Sequence, residues 1–161
     1  MNENPLVTVN ILSFNRKDEL RNTLTKVFEQ DYRNIEVIVV DNASSDGSTE
    51  MVKKEFPEVQ LIKLEKNIGI AGWNEGFKTA KGEYVLVLDD DSYPDRLCLK
   101  KGINVLNTNE MIAIVAFNIM DQKRSVSQTA FYKKPYLEFV GCGAMIRRDK
   151  FLKVEGFDPT F

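Results

Sequence analysis

Residues 35–48 have the sequence IEVIVVDNASSDGS. The apolar run at residues 37–40 is nearly continuous, as expected of a β-strand that is covered on both faces. The run stops abruptly at Asp41, and the polar loop that follows is rich in residues that form turns and begin helices. This stretch predicts a buried strand, a polar loop at its carboxyl end, and a helix whose N-cap is Ser48.

The same order of strand, polar loop and helix recurs about every 30 residues, which is typical of βαβ construction. The sequence therefore predicts an α/β fold with a central, mostly parallel sheet flanked by helices. A helix is predicted over 95–107, and a shorter one over 149–154 that ends at Gly156. Residues 121–134 are interpreted as a loop or an edge hairpin. The predicted strands cover residues 7–12, 35–40, 59–64, 84–88, 112–117 and 144–146, with a further β-like stretch at 137–141.

The composition fits one compact domain over residues 1–161, since 43% of the residues are hydrophobic and a second domain would leave both halves small. The 22 basic and 24 acidic residues give a net charge of −2, which argues against nucleic acid or an anionic membrane as partner. No stretch approaches the roughly 20 apolar residues of a membrane span, and the N-terminus shows no signal peptide. The expected location is cytoplasmic, with the inner face of the membrane as an alternative.

The chain contains no histidine, which excludes a Ser-His-Asp triad, a Cys-His dyad and a His-ligated zinc site. Cys98 and Cys142 are far apart in sequence and are expected to be buried thiols in a reducing compartment. The remaining candidate ligands are carboxylate and amide oxygens. Such hard ligands favour Mg²⁺ or Mn²⁺ as cofactor.

Polar residues directly follow each of the first four predicted strands. The carboxyl ends of parallel strands lie at one edge of an open α/β sheet, where ligands bind. We therefore expect Asn15, Asp41, Asn67 and the acidic triplet Asp89 to Asp91 to lie along a common rim.

The acidic triplet carries the sharpest chemical signal. Three carboxylates after a buried strand repel one another unless a cation lies among them. In an extended run Asp89 and Asp91 would point to the same side, one towards a ligand and the other towards a divalent ion. The alternative is a solvated turn whose charges favour the start of the next helix.

Two other loops have structural as well as functional interpretations. Asp41 could accept a hydrogen bond from a nucleobase ring N–H, or it could form an Asx-turn with the loop that follows it. The glycines of segment 67–76 permit close approach of the backbone to a ligand, but their spacing matches neither a P-loop nor a Gly-x-Gly-x-x-Gly motif. Trp73 is interpreted as a packing residue, with stacking on a sugar as the alternative.

Four segments together resemble family 2 glycosyltransferases with the GT-A fold, and the resemblance covers the whole chain. Their order and spacing make it specific, and the third segment is similar to the rhamnosyltransferase-like branch. The segments are 7–16 (VTVNILSFNR), 39–48 (VVDNASSDGS), 67–76 (NIGIAGWNEG) and 88–91 (LDDD).

The resemblance implies a binding site for a nucleotide-diphospho-sugar. Asp41 would contact the nucleobase, Asn15 and Asn67 would line the nucleoside pocket, Asp89 would lie near the ribose, and Asp91 would ligate the metal. Ser13 and Asp90 belong to the same motifs and are assigned to nucleotide-sugar binding with them.

The sequence departs from the family pattern in three places. Leu12 stands where proline is usual, and Asp89 stands where some of the rhamnosyltransferase-like branch has Asn. Segments 141–148 and 156–158 resemble the part of the family that leads into a Glu-Asp motif with the catalytic base. We therefore expect the base beyond Phe161, the chain to be a fragment with little or no activity, and Asp158 to belong to a structural Gly-Phe-Asp turn.

The activity implied by the resemblance is inverting, metal-dependent transfer of a sugar to a hydroxyl of a glycan or lipid-linked acceptor, in polysaccharide or glycoconjugate synthesis. A non-catalytic nucleotide-sugar-binding module is the first alternative. The second is a metal-dependent phosphotransferase with an Asp-x-Asp motif, which would place its nucleophilic Asp after the first strand. Residues 13–15 of this chain are Ser-Phe-Asn instead.

Overall fold

A computed structural model describes residues 4–121, 126–127, 141–154 and 156–158. The strands are β1 (Val7–Ser13), β2 (Ile35–Asp41), β3 (Gln60–Lys63), β4 (Tyr84–Asp89), β5 (Ile114–Ala116), β6 (Met120–Asp121), β7 (Val126–Ser127) and β8 (Ala144–Arg147). The helices are α1 (Lys17–Phe28), α2 (Ser48–Glu55), α3 (Gly72–Thr79), α4 (Cys98–Thr108) and α5 (Arg148–Lys153), with one 3₁₀ turn at Gly69–Ala71.

Six strands form one sheet in the order β3-β2-β1-β4-β8-β5. The first four strands of the chain are parallel to one another, and β8 runs antiparallel to both of its neighbours. This confirms the predicted α/β class and the mostly parallel sheet. The order in which strands are added to the sheet reverses between β1 and β4, and the loops after β1, β2 and β4 lie at one edge because these strands are parallel.

Helices cover both faces of the sheet, which explains the continuous apolar runs of the central strands. Alternate residues of β1 point to opposite faces, because the side-chain period of a strand is two. On one face Val7, Val9 and Ile11 pack with buried residues of α1, α2 and α4, and on the other face the core includes Trp73, Phe77 and Phe151. Trp73 is therefore a core residue, as its packing interpretation predicted.

The predicted boundaries of the elements hold to within about three residues, and the differences have local causes. Ser48 is the first helical residue of α2 rather than its cap; Gly47 occupies the cap with φ of 86°. The carboxylate of Asp46 instead accepts a hydrogen bond from the Ser48 amide, at 3.0 Å. Helix α4 begins at Cys98, three residues after the predicted start. Asp95 lies in the turn before the helix, where its carboxylate accepts a hydrogen bond from the Leu97 backbone amide.

Strands β6 and β7 pair antiparallel in a separate two-stranded sheet, whereas most of segment 121–134, interpreted as a loop or an edge hairpin, lies outside the described residues. The β-like stretch predicted at 137–141 lies outside the described residues except for Gly141. Strand β8 agrees with its prediction, and Gly156 has φ of 86°, the left-handed conformation expected of a glycine after a helix. No helix in the described part of the chain is long and apolar enough to cross a bilayer.

Glycines of α3 bring this helix close to the sheet rather than to a ligand. A side chain at Gly76 would overlap the amide of Asn10, and one at Gly72 would overlap Leu12. The Asn10 amide nitrogen donates to the Trp73 carbonyl at 3.0 Å, which ties β1 to α3. Gly72 and Gly76 therefore serve packing, and close approach of segment 67–76 to a ligand stays a prediction.

Replacement of Gly76 by Ala is expected to destabilise the fold by about 1–3 kcal/mol, the usual cost of overpacking a closed interface. The measurement is urea unfolding followed by the fluorescence of Trp73, the single tryptophan. Lys78→Ala on the exposed side of the same helix is the matched control, with an expected change within about 0.5 kcal/mol. Equal stability of the Gly76→Ala protein and the wild type would contradict this account of the α3–sheet contact.

Candidate active site

An open cleft of about 440 Å³ lies at the carboxyl edge of the parallel strands. Loops after β1, β2, β3 and β4 all contribute to it, as expected for the edge where an open α/β sheet binds ligands. The residues that line it are Leu12, Ser13, Phe14, Arg16, Asn42, Asn67, Gly69, Ile70, Asp89, Asp90 and Asp91.

The acidic triplet does not continue the strand. Strand β4 ends at Asp89, and the chain then turns, with the Ser92 amide donating to the Asp89 carbonyl at 3.3 Å. The Ser92 hydroxyl reinforces the turn through hydrogen bonds to the backbone of Asp89. The extended geometry predicted for the triplet is therefore wrong beyond Asp89, although all three residues still line the cleft.

Asp90 is the member of the triplet that points into the protein, with only 5% of its surface exposed. Its carboxylate accepts a hydrogen bond from the Phe14 amide at 3.0 Å, and its carbonyl accepts one from the Thr23 hydroxyl at 2.8 Å. These bonds join the loop after β4 to the loop after β1 and to α1. Asp90 therefore holds the two loops of the cleft in register.

Burial raises the pKa of both Asp89 and Asp90 above the ordinary carboxyl value. The charge of Asp91 adds to the rise at Asp89, and the Cys142 thiol opposes it by donating a hydrogen bond to the carboxylate. Cys142 itself is half-buried, and burial together with the Asp89 charge raises its pKa to about 11. Cys98 is buried, as predicted, whereas Cys142 is only partly so because it lies beside the cleft.

Arg16 is the charged residue, among the described residues that line this cleft, that the sequence interpretation did not assign. It precedes α1, and its guanidinium reaches across the cleft to the carboxylate of Asp91 in a direct ion pair. The same group lies 3.7 Å from a carboxylate oxygen of Asp90. These two carboxylates raise the pKa of Arg16, so the triplet has a permanent cation beside it. The sequence signal that could have identified Arg16 is its position directly after Asn15, in the first of the four motifs.

Asn15 and Asp41 lie behind the cleft rather than along its wall. Asn15 has a left-handed backbone, with φ of 53°. Its side-chain oxygen accepts a hydrogen bond from the Ser45 backbone amide at 2.8 Å, and its backbone amide donates to the Ser44 hydroxyl. Asp41 is 1% exposed, and its carboxylate accepts from the Ser44 amide at 3.2 and 3.3 Å. Asn15 therefore links the loop after β1 to the loop after β2, and Asp41 stabilises the loop that follows it, as its structural interpretation predicted; its contact with a nucleobase stays a prediction.

The opposite wall is built around two asparagines. Asn42 is buried; its side chain donates to the Gly69 carbonyl at 3.0 Å and accepts from the Ile68 amide at 3.1 Å. Asn67 is exposed, and its side-chain oxygen accepts from the Gly69 amide at 2.8 Å. Asn42, which directly follows Asp41, thus holds the loop after β3 against the cleft, a role that the sequence interpretation gave to no residue.

Five of the seven predicted site residues line the cleft, namely Ser13, Asn67, Asp89, Asp90 and Asp91. Their oxygens form a donor set of the type that Mg²⁺ and Mn²⁺ use, with one or two carboxylates completed by water and substrate phosphates. No group of three His, Cys, Asp or Glu side chains arranged as a complete metal cage occurs among the described residues. The chemistry of these donors suits such an ion, since the charge of Asp91 raises the pKa of Asp89 and a nearby cation would offset that repulsion.

Solved structures with the same fold include several glycosyltransferases. A mannosyltransferase from Pyrobaculum calidifontis, solved in complex with GDP-Man and Mn²⁺, superposes with a TM-score of 0.81 at 26% identity, over 96% of this chain and 48% of that one. TarS from S. aureus in complex with UDP superposes with a TM-score of 0.79 at 22% identity, over 96% of this chain and 50% of that one. The neighbours establish the predicted GT-A fold.

Curated relatives agree with the structural neighbours. The chain is 30% identical over 145 residues to UDP-Glc:alpha-D-GlcNAc-diphosphoundecaprenol beta-1,3-glucosyltransferase WfaP of Escherichia coli, covering 88% of this chain and 56% of the relative. The chain thus spans about half the length of this relative and of the structural neighbours. Placement in the rhamnosyltransferase-like branch stays a prediction. The profile of glycosyl transferase family 2 matches residues 8–154, and the chain therefore belongs to that family.

Proposed function

We propose that this chain forms the donor-binding part of an inverting, metal-dependent glycosyltransferase, which moves a sugar from a nucleotide-diphospho-sugar to a hydroxyl of a glycan or lipid-linked acceptor. The observation that carries the proposal is the convergence of Ser13, Asn67 and the acidic triplet on one cleft. Polysaccharide or glycoconjugate synthesis is the expected setting, because the WfaP relative is named for a lipid-diphosphate-linked sugar.

The chemistry of the cleft supports a diphosphate ligand only if a cation accompanies it. Three carboxylates face one guanidinium among the described residues that line the cleft, so a bare diphosphate would meet net negative charge. A Mg²⁺ or Mn²⁺ ion on Asp91 would offset that charge and stabilise the charge that develops on the leaving phosphate. The mannosyltransferase neighbour, which contains GDP-Man and Mn²⁺, gives the same pairing of nucleotide sugar and cation.

The chain's own residues would position the donor. Asp91 is exposed at the mouth of the cleft and can reach a cation at the diphosphate, whereas Asp89 lies deeper beside Cys142, where the ribose is expected. Asn67 and Asn42 shape the wall for the nucleoside. Asn15 acts indirectly in this proposal, by fixing the loop that follows β2.

Asp91→Asn is expected to abolish the metal-dependent part of nucleotide binding. An amide oxygen carries no charge for the cation, so the gain in affinity for UDP, GDP or dTDP on addition of Mn²⁺ should fall about tenfold or more, roughly 1.4 kcal/mol. Isothermal titration with each nucleotide, with and without Mn²⁺, measures this gain. The experiment measures binding rather than sugar transfer, because the chain spans only about half the length of its relatives.

Glu110→Gln is the matched control, since Glu110 is exposed near the start of β5, at the opposite edge of the sheet. The control should keep the full Mn²⁺-dependent gain. If wild-type protein binds all three nucleotides equally with and without Mn²⁺, the proposed metal-dependent donor site does not exist. An unchanged gain in Asp91→Asn would remove Asp91 from it.

Asp41 is proposed to select the nucleobase, although it is buried and the next residue, Asn42, is the one that lines the cleft. Two long hydrogen bonds to the Ser44 amide leave most of its lone pairs available. Contact with a base requires the 43–46 loop to admit the ring. A carboxylate accepts from the ring N–H of uracil, thymine or guanine, whereas cytosine offers only an acceptor at that place.

Asp41→Asn should therefore narrow the preference for UDP, GDP or dTDP over CDP by roughly tenfold, since an amide can donate as well as accept. Competition titrations in Mn²⁺ measure the ratio of affinities, which is insensitive to a general loss of binding. Thermal unfolding of the same samples checks that the loop remains folded. A ratio equal to that of the wild type would show that Asp41 is purely structural.

A further inference from the structure

Arg16 occupies an unusual position for a surface arginine. It directly precedes α1 but makes no capping bond there, and its side chain instead crosses to the loop that follows β4. Among the described residues that line the cleft, it alone carries a positive charge. Its side chain is 50% exposed and that of Asp91 is 48% exposed. An ion pair with so much solvent around it contributes little to stability, so the fold does not depend on it.

The ion pair occupies one carboxylate oxygen of Asp91, the residue that is proposed to bind the divalent cation. The guanidinium Nη1 donates to Oδ2 of Asp91, the carboxylate assigned to the cation, and it lies 3.7 Å from Oδ1 of Asp90. A guanidinium and a divalent ion would exclude each other at the same carboxylate oxygen, because both are cations and each needs direct contact with that oxygen. One of them must leave when the other arrives.

We infer that Arg16 is an exchangeable counter-ion: it holds Asp91 while the cleft is empty, and it transfers to the donor's diphosphate when the metal takes over the carboxylate. This inference rests on the proposed function. Planar guanidinium groups bind diphosphate oxygens through paired hydrogen bonds as readily as they bind carboxylates. The long, half-exposed side chain can turn from one anion to the other without a change in the backbone.

The exchange predicts two effects of opposite sign for Arg16→Gln. Binding of Mn²⁺ alone should tighten by about tenfold, because no cation competes for Asp91. Binding of nucleoside diphosphate in saturating Mn²⁺ should weaken by about tenfold, because one charge-assisted contact to phosphate is lost. Arg16→Lys retains a cation without the planar fork, and should keep the wild-type affinity for Mn²⁺ alone while losing part of the affinity for diphosphate.

The first constant is measured on the full chain by the loss of the free Mn²⁺ signal in electron paramagnetic resonance. The second is measured by isothermal titration with UDP, GDP and dTDP. Arg21→Gln is the matched control: Arg21 lies on α1 and pairs with Glu55 and Asp18, so neither constant should change. Thermal unfolding confirms that each variant is folded.

The outcomes separate this inference from the proposed function. If the wild type shows no Mn²⁺-dependent binding of any nucleoside diphosphate, the proposed function and the inference both fail. If the wild type shows it but both constants of Arg16→Gln stay unchanged or move in the same direction, only the counter-ion exchange is overturned. Opposite shifts support it, because a residue with a merely structural role would weaken both ligands together.

Discussion

Carboxylates at the end of a buried strand need hydrogen bonds or a positive charge to stay ionised, and the cleft is organised around that requirement. Strand β4 carries Asp89 and Asp90 out of an apolar core, and burial raises the pKa of both. Each carboxylate has a different partner. Asp90 takes a backbone amide, Asp89 takes a thiol hydrogen bond, and Asp91 takes a guanidinium. The three carboxylates of one short segment therefore differ in burial and in the group that stabilises their charge.

The parallel sheet explains why loops that are distant in sequence meet at this place. The residues of β1 pair in register with those of β2 and β4, so Ser13 lies opposite Asp41 and Leu12 lies opposite Asp89. This register brings the loops after the three strands to one edge. Side chains then lock the loops together through Asn15, Ser44 and Asp90. Ser44 and Asp90 are buried and Asn15 is exposed, and each of the three makes a hydrogen bond to a neighbouring loop.

Sequence patterns predicted the sheet well because strand burial leaves a direct trace, namely the apolar runs of β2 and β4. They also placed Ser13, Asn67 and the triplet at one edge, because parallel topology alone decides that. They failed on side-chain direction. Whether Asp41 faces the cleft or turns back to the Ser44 amide depends on loop dihedrals, which neither composition nor spacing encodes. Arg16 was missed because its partner is 75 residues away.

The turn after Asp89 changes how the acidic triplet should be understood. In a continued strand, alternate residues share a face, and Asp90 would be the one turned away. The turn closed by Ser92 also separates Asp90 from Asp89 and Asp91. It directs Asp90 onto the Phe14 amide and leaves Asp91 at the mouth of the cleft. The Asp90 carboxylate is thus bound to the Phe14 backbone amide, and the carboxylates of Asp89 and Asp91 are the ones proposed to meet a ligand. A polar residue that kept the bond to Phe14 could replace Asp90, whereas the chemistry assigned to Asp91 requires its charge.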